Sequence, residues 1–299
     1  MPRLERLALS RATVDRATEH RTDPAFLEKA WADPRASVIV VRDGRAPVSD
    51  DRAHLRFLPA AELGDVAERY FLGIDQEGVP YFAVRDQAGP EGPWAGLREI
   101  GGLLDDRDAG LLVHAQALAN WHAAHGHCAR CGAPTSPAEG GHVRRCPECG
   151  ADHFPRTDPA IIVLVTDDRD RCLLGHGAHW PPGRFSTLAG FVEPGESLEH
   201  AVVREVREES GVIVTDPTYA GSQPWPFPSS LMLGFFARAV TTDIRVDGLE
   251  VTEARWFTRE ELGAAFESGQ VLPPPGVSIA RRLIEAWFEG DRLGAGGDR

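Results

Sequence analysis

Long apolar runs are missing from this chain. Nowhere do about 20 apolar residues follow one another, the length a helix needs to cross a bilayer. The opening stretch, Met1 to Arg16, alternates charged with apolar residues and lacks the apolar core, roughly 7–15 residues long, of a secretory signal. Positive charge is scarce too: 32 Lys and Arg against 45 Asp and Glu leave a formal net charge of -13. That deficit argues against a protein held non-specifically on nucleic acid by phosphate contacts. It admits a polyphosphate substrate only if divalent cations offset the charge locally. Cysteine is sparse, with five in the whole chain, and four of the five fall into two tight pairs. Such pairing favours metal binding over disulfides, and the expectation is a soluble, cytoplasmic protein without membrane partners.

What is present suffices for more than one core. The 299 residues are about twice the usual domain length, and 42% are hydrophobic against 26% charged. From Met1 to Gly126, short strand candidates (Ala36 to Val41, Tyr81 to Val84) alternate with helices. Asp108 to His125 carries Leu111, Leu112, Ala115, Leu118 and Ala119 at helical spacing. A short loop-rich insert holds the cysteine pairs. From His153 a second strand-rich region begins with Ala160 to Thr166, a turn at Asp167 to Asp170, and a strand from Arg171 to Gly175. It ends in a helix, Val277 to Phe288, behind the stiff loop Pro273 to Gly276. Ala36 to Val48 faintly echoes Ala160 to Leu174, a hint of duplication. The glycine-rich last residues read as a frayed end.

Cys128-x-x-Cys131 and Cys146-x-x-Cys149 each set two thiolates at one turn, followed by Gly132 and Gly150. Two such turns supply the four sulfurs that a tetrahedral structural zinc takes, and the spacing is that of a zinc ribbon. A closed four-thiolate site leaves no open position for catalysis, so its expected role is bracing. His127, His142 and His153 read as ordinary surface or loop residues, and Cys172 as a buried small hydrophobe.

The stretch Gly190 to Val212, GFVEPGESLEHAVVREVREESGV, is the most informative. Ser197 is a suitable N-cap for a helix from Leu198 to Ser210, and Gly211 supplies its stop. Leu198, Ala201, Val202 and Val206 form its apolar stripe. Glu205, Glu208 and Glu209 continue the same face. Like charges pointing toward a core need a cation. Arg204 serves in part, and a divalent metal such as Mg²⁺ or Mn²⁺ suits so many oxygen ligands better.

These residues match, at every fixed position, the Nudix box G-x5-E-x7-R-E-U-x-E-E-x-G-U, where U is a bulky apolar residue: Gly190, Glu196, Arg204, Glu205, Val206, Glu208, Glu209, Gly211 and Val212. The chain thus resembles the Nudix hydrolases, which cleave a nucleoside diphosphate linked to another group by water attack on phosphorus. The resemblance implies a Nudix α/β/α sandwich with a mixed sheet. Glu205 and Glu209 are the implied principal metal ligands, and Glu208 a further ligand or the base. Arg204 is implied as the orienting cation. Ala189 sits where a backbone carbonyl joins the metal shell, and Glu250 aligns with a downstream acidic ligand, with Glu253 as its competitor.

Downstream, Ser222 to Ser230 reads SQPWPFPSS. Alone it would be a stiff loop or a polyproline ligand. It follows the glutamate helix closely, and aromatic rings on a proline-stiffened loop make a platform for a flat ring. The run is similar to the signature of the NADH pyrophosphatase subgroup, as are the preceding four-cysteine ribbon and the segments Pro273 to Gly276 and Ala280 to Ile284. That resemblance implies cleavage of NADH (and NAD⁺) to nicotinamide mononucleotide and AMP, possible removal of NAD caps from RNA, and homodimers with a degenerate Nudix-like N-terminal domain. The implied substrate contacts are Gln223, Pro224, Trp225, Pro226, Phe227, Pro228, Ser229, Ser230 and Ala280. Phe191 and Phe154 are stacking candidates, with Phe154 standing in place of a tyrosine. Gly141 falls where a polar contact is expected, with Glu139 nearby. The domain division is 1–126 for an N-terminal α/β Nudix-like domain, 127–152 for the ribbon, 153–290 for the catalytic domain and 291–299 for a flexible tail.

Three rival readings remain. A Nudix hydrolase of ADP-ribose or a diadenosine polyphosphate shares the metal ligands and leaves Gln223 to Ser230 unexplained. An enzyme devoted to NAD-capped RNA would want a local basic patch, for which Arg144 and Arg145 are the candidates. A zinc-ribbon binding or regulatory protein with a dead Nudix domain should have lost a box glutamate, and none is missing.

Overall fold

The computed structural model describes residues 3–64 and 66–294, with side chains through residue 289. The chain divides into two compact units, one of residues 9–157 with 224–229 and the other of residues 3–8, 158–223 and 230–294.

The first unit contains a four-stranded mixed sheet in the order Leu58–Pro59, Ser37–Val41, Pro80–Arg85, Arg69–Ile74. Its central pair is parallel, with Val38 opposite Phe82 and Val40 opposite Val84. Alternation sends Val38, Val40, Phe71, Phe82 and Val84 into one cluster with Ala30 and the partly buried Phe26, Leu27 and Trp31 of the helix Pro24–Trp31. Asp23 caps that helix, accepting from the amides of Ala25 and Phe26. The long helix Asp106–Ala124 also packs on the sheet, and its His122 ring stacks on Tyr70 at 4.2 Å.

The ribbon follows as three short antiparallel strands, Ser136–Ala138, Val143–Arg145 and Asp152–His153. His142 belongs to its frame: Nε2 donates to the Phe71 carbonyl at 2.8 Å. Burial, the largest cause, holds that imidazole down at about 4. The expectation of an ordinary loop histidine is corrected here, because a carbonyl beyond the reach of local pattern claims its proton. His122 is fixed likewise. Its Nε2 donates to the Gly141 carbonyl and its Nδ1 accepts from Arg144, the neutral tautomer that only one N–H allows.

In the second unit a larger mixed sheet runs Val214–Trp225, Ser230–Ala239, Asp158–Thr166, Cys172–Gly177, Val251–Phe257, with Leu188–Phe191 paired antiparallel to Asp158–Thr166. Its long central strand is parallel to Ser230–Ala239. Period-two alternation along that strand separates two cores. Ile162 and Leu164 pack with Leu283, Ile284 and Trp287 of the C-terminal helix and Leu262 of the helix Arg259–Glu267. Ile161, Val163 and Val165 pack with Ala201, Val202 and Val206 of the helix Leu198–Ser210. Helices on both faces of a mixed sheet make the expected α/β/α sandwich. Cys172 lies fully buried in the first of these cores. The C-terminal helix spans Ile279–Gly294, four residues into the segment expected as a tail from residue 291. The rest of that tail, 295–299, lies outside the described residues. None of the described helices is long and apolar enough to cross a membrane.

Candidate active site

The helix Leu198–Ser210 has the bounds read from its caps. Ser197 accepts from the His200 amide at 3.2 Å, and Gly211 closes the helix at φ 72. Its three glutamates do not share one fate. Glu205 and Glu209, just over one turn apart, are buried to 8% and 7% exposure. The Glu208 side chain keeps 59% of its surface, so the expectation that it continues the inward face is corrected. At about 100° per residue, a step of three leaves it on the flank.

Arg204 joins helix and preceding loop. Nε and Nη2 hold the Glu196 carboxylate at 2.8 Å each, and Nη2 also donates to the Phe191 carbonyl at 2.9 Å. Nη1 reaches Glu205 at 2.8 Å and Glu208 at 3.0 Å. Five hydrogen bonds match the five N–H groups of a guanidinium. The bond to Arg204 holds the Glu196 carboxyl down at about 2, and the same pairing raises Arg204 above its ordinary value. Gly190 lets this arrangement close. A β-carbon there would fall 1.9 Å from Cδ of Glu205.

Glu209 has no such cation. One carboxylate oxygen, Oε2, is buried without a hydrogen-bond partner. Burial first, then the negative charges of Glu205, Glu250 and Asp247, push its pKa up to about 8 against the help of the Ala189 amide. Burial also raises Glu205, opposed by Arg204. An orphaned buried carboxylate oxygen amid like charge is the environment that a divalent cation relieves. The donor set offers what such an ion takes: oxygens from Glu205, Glu209 and Glu250, with the Ala189 backbone alongside.

A cavity of about 430 Å³ opens there, with Glu209, Glu250, Ala189, Thr187, Trp180 and Leu249 in its wall. Glu250 lines it, whereas Glu253 pairs with Arg255. Thr187, 4% exposed with its hydroxyl unpartnered, and Trp180 were not singled out from sequence. Each stands alone among unremarkable neighbours, so no pattern could have marked them.

The other implied contacts are spread more widely. Phe191 and Phe154 are exposed at 60% and 68%. Trp225 and Phe227 meet edge to face at 4.9 Å, both half-buried, and Pro226 is buried between them. Pro224 and Ser229 are half-buried, Pro228 is exposed, and Ser230 begins a strand opposite Asp158. Gln223 is fully buried and its amide donates to the Val277 carbonyl at 3.0 Å. Ala280, on the first turn of the C-terminal helix, is buried in the core. Gly141 is buried against Tyr70, and Glu139 pairs with Arg145.

In the ribbon, the ligand atoms of Cys128, Cys131, Cys146 and Cys149 lie within 4.8 Å of one another. Both turns use the same backbone device. Cys128 N–H donates to Ala133 and Gly132 N–H to Cys128; Cys146 N–H donates to Ala151 and Gly150 N–H to Cys146. Gly132 and Gly150 have φ of 80 and 70. Arg144 and Arg145 form no free basic patch. Arg144 is buried on Thr135 and His122, and Arg145 pairs with Asp152 and Glu139.

Comparison with known proteins matches three family models along the chain. Residues 24–121 match the model of an NADH pyrophosphatase-like rudimentary NUDIX domain, 123–154 the NADH pyrophosphatase zinc ribbon domain, and 156–284 the NUDIX domain. The chain is 43% identical over 296 residues to the NAD-capped RNA hydrolase NudC of Mycobacterium bovis BCG, covering 93% of this chain and 94% of the relative. The human NAD-capped RNA hydrolase NUDT12 is 43% identical over 197 residues, 62% of this chain and 43% of that protein. A crystal structure of a NUDIX hydrolase from Nitrosomonas europaea covers 56% of this chain and 93% of its own, at 22% identity and a TM-score of 0.47.

Proposed function

Given that the chain belongs to the Nudix hydrolases, in their NADH pyrophosphatase branch, we propose that it hydrolyses the pyrophosphate of NADH and NAD⁺. Water adds to one phosphorus, the bond from that phosphorus to the bridging oxygen breaks, and NADH yields reduced nicotinamide mononucleotide and AMP. The observation that carries the reading is Glu209, buried with an orphaned oxygen at the wall of a cavity it shares with Glu250.

Glu205, Glu209, Glu250 and the Ala189 carbonyl would hold Mg²⁺ or Mn²⁺. Bound there, the ion supplies charge neutralisation at the phosphate oxygens and activation of water. Arg204 anchors Glu205 and opposes the rise that burial imposes on its carboxyl, and Gly190 gives that carboxylate room. Glu208, tethered to Arg204 with much of its side chain in solvent, serves as a further ligand or as the group that takes the proton from the attacking water. Trp225, Phe227, Phe191 and Phe154 each offer a ring on which a base or a nicotinamide could stack. A zinc ion on the four cysteines braces the ribbon, and the enzyme acts as a cytoplasmic homodimer.

A second reading is favoured by the names of the relatives, which are NAD-capped RNA hydrolases. The same residues would cleave the same bond in an NAD cap. The buried or paired state of Arg144 and Arg145 and the net charge of -13 favour the free dinucleotide.

The test is incubation with NADH, NAD⁺, ADP-ribose and an NAD-capped RNA, each with Mg²⁺ or Mn²⁺, followed by chromatography. AMP and reduced nicotinamide mononucleotide arising fastest from NADH, and only with metal, support the proposal. Faster turnover of capped RNA moves the substrate to RNA. Cleavage of none removes the enzymatic reading. Glu209→Gln should abolish turnover in a folded protein, since the apolar stripe of its helix is untouched.

A further inference from the structure

The N-terminal domain carries no second copy of the glutamate pattern, so its contribution lies elsewhere. We propose that its Asn120 and Arg98 are positioning residues that hold the aromatic-proline loop Pro224 to Ser229 in its working shape. This rests on the reading that the loop takes substrate.

The chemistry of the loop poses the problem. Three of its six residues are proline and have no N–H, yet every residue presents a carbonyl. Within the segment the Phe227 N–H turns back on the Trp225 carbonyl at 2.7 Å, and the carbonyls of Pro226 and Pro228 take their donor from elsewhere in the fold. Asn120 meets that need. Its Nδ2 donates to the Pro226 carbonyl at 2.9 Å and to the Pro228 carbonyl at 2.9 Å. Both amide hydrogens are spent on the carbonyls that flank Phe227.

The orientation of this amide is itself imposed. Gln116, one turn earlier on the helix Asp106–Ala124 and 3% exposed, donates from Nε2 to Asn120 Oδ1 at 2.6 Å. With Oδ1 occupied, the donor end faces the loop. The side chains of the loop are held from a second direction. The Arg98 guanidinium carbon lies 4.0 Å from the Phe227 ring centroid and 5.0 Å from that of Trp225. One cation thus meets both rings of the edge-to-face pair. Carbonyls on one side and ring faces on the other leave Phe227 and Trp225 little freedom to turn. A platform so pre-arranged binds a flat ring without first having to order itself.

The experiment uses full-length Asn120→Ala, Asn120→Asp, Arg98→Ala and Arg98→Lys, assayed with NADH. Hydrogen exchange is followed over a peptide spanning residues 218–232. For Asn120→Ala the KM should rise on the order of 10-fold, as for two ordinary hydrogen bonds lost, with kcat within about threefold. Exchange at residues 225–229 should quicken while the melting temperature holds. Asn120→Asp keeps the shape but offers acceptors in place of donors, so its defect should equal or exceed that of alanine. Arg98→Lys should recover part of what Arg98→Ala loses. Unchanged KM and loop exchange in both alanine variants would overturn the inference, as would a harmless Asn120→Asp. A lowered melting temperature with no selective change in the loop would also overturn it, showing a merely structural role. If the unsubstituted protein fails to cleave NADH, the substrate reading falls instead, and the exchange arm still decides whether Asn120 holds the loop.

Discussion

The carboxylate of Glu205 stands where a β-carbon on residue 190 would be: an ideal Cβ on Gly190 meets Glu205 Cδ at 1.9 Å and both of its oxygens within 2.2 Å. The glycine is required for close approach rather than for an unusual turn.

Gly190→Ala should therefore act on catalysis before it acts on folding. The added methyl must push the Glu205 carboxylate aside by about an ångström, a displacement that costs on the order of 100-fold in rate at a reacting centre. Steady-state hydrolysis of NADH beside a melting curve checks this. A variant with parental kcat would show that Glu205 does not need its present place.

The raised pKa of Glu209 sets a pH dependence in protein stripped of divalent metal. Its carboxyl titrates near 8 in the fold against an ordinary 4.5, so the folded chain holds the proton more tightly than the unfolded one. This group therefore destabilises the fold progressively as pH rises from about 4.5 through 8, and not at all below that window. With chelator present, Glu209→Gln should melt above the parent at pH ~8.5, and the difference should vanish toward pH ~5. Equal gaps at both values would contradict the assignment. Added Mn²⁺ should raise the melting temperature of the parent and leave that of the variant in place.

Removal of a ribbon ligand should be felt as stability. Elemental analysis should find one zinc per chain in the native protein and little in Cys128→Ser. The substitution should lower the melting temperature by about 5 °C or more, since binding energy at a structural zinc is folding energy. An unchanged melting temperature would argue against a bracing ion.

The glutamate helix and the cysteine turns were legible because their signals are local. Ser197, Gly211 and the glycines after each cysteine pair act within a turn or two of chain, so spacing alone places them. The apolar run Ala160 to Thr166 likewise marked a strand, and the structure extends it only to Asp158. Illegible were the contacts whose partners lie far away. His142 finds the carbonyl of Phe71, Gln223 that of Val277, and Asn120 those of Pro226 and Pro228. Each of these residues is polar, and nothing in its own neighbourhood names its distant partner; only the tertiary fold does. The outward turn of Glu208 shows the same limit, since the box names its residue type and not its direction.

The hydrogen bonds from Asn120 to Pro226 and Pro228 also bear on heredity. A loop rich in acceptors and poor in donors cannot travel between proteins by itself. Grafted onto another Nudix scaffold, the segment Pro224 to Ser229 would arrive with its Pro226 and Pro228 carbonyls unclaimed and its rings without Arg98. Loop and N-terminal domain are in that sense one inheritable module, written in two distant stretches of the chain. A descendant could discard the ancestral chemistry of the N-terminal domain, yet it could not discard the domain without redesigning the loop.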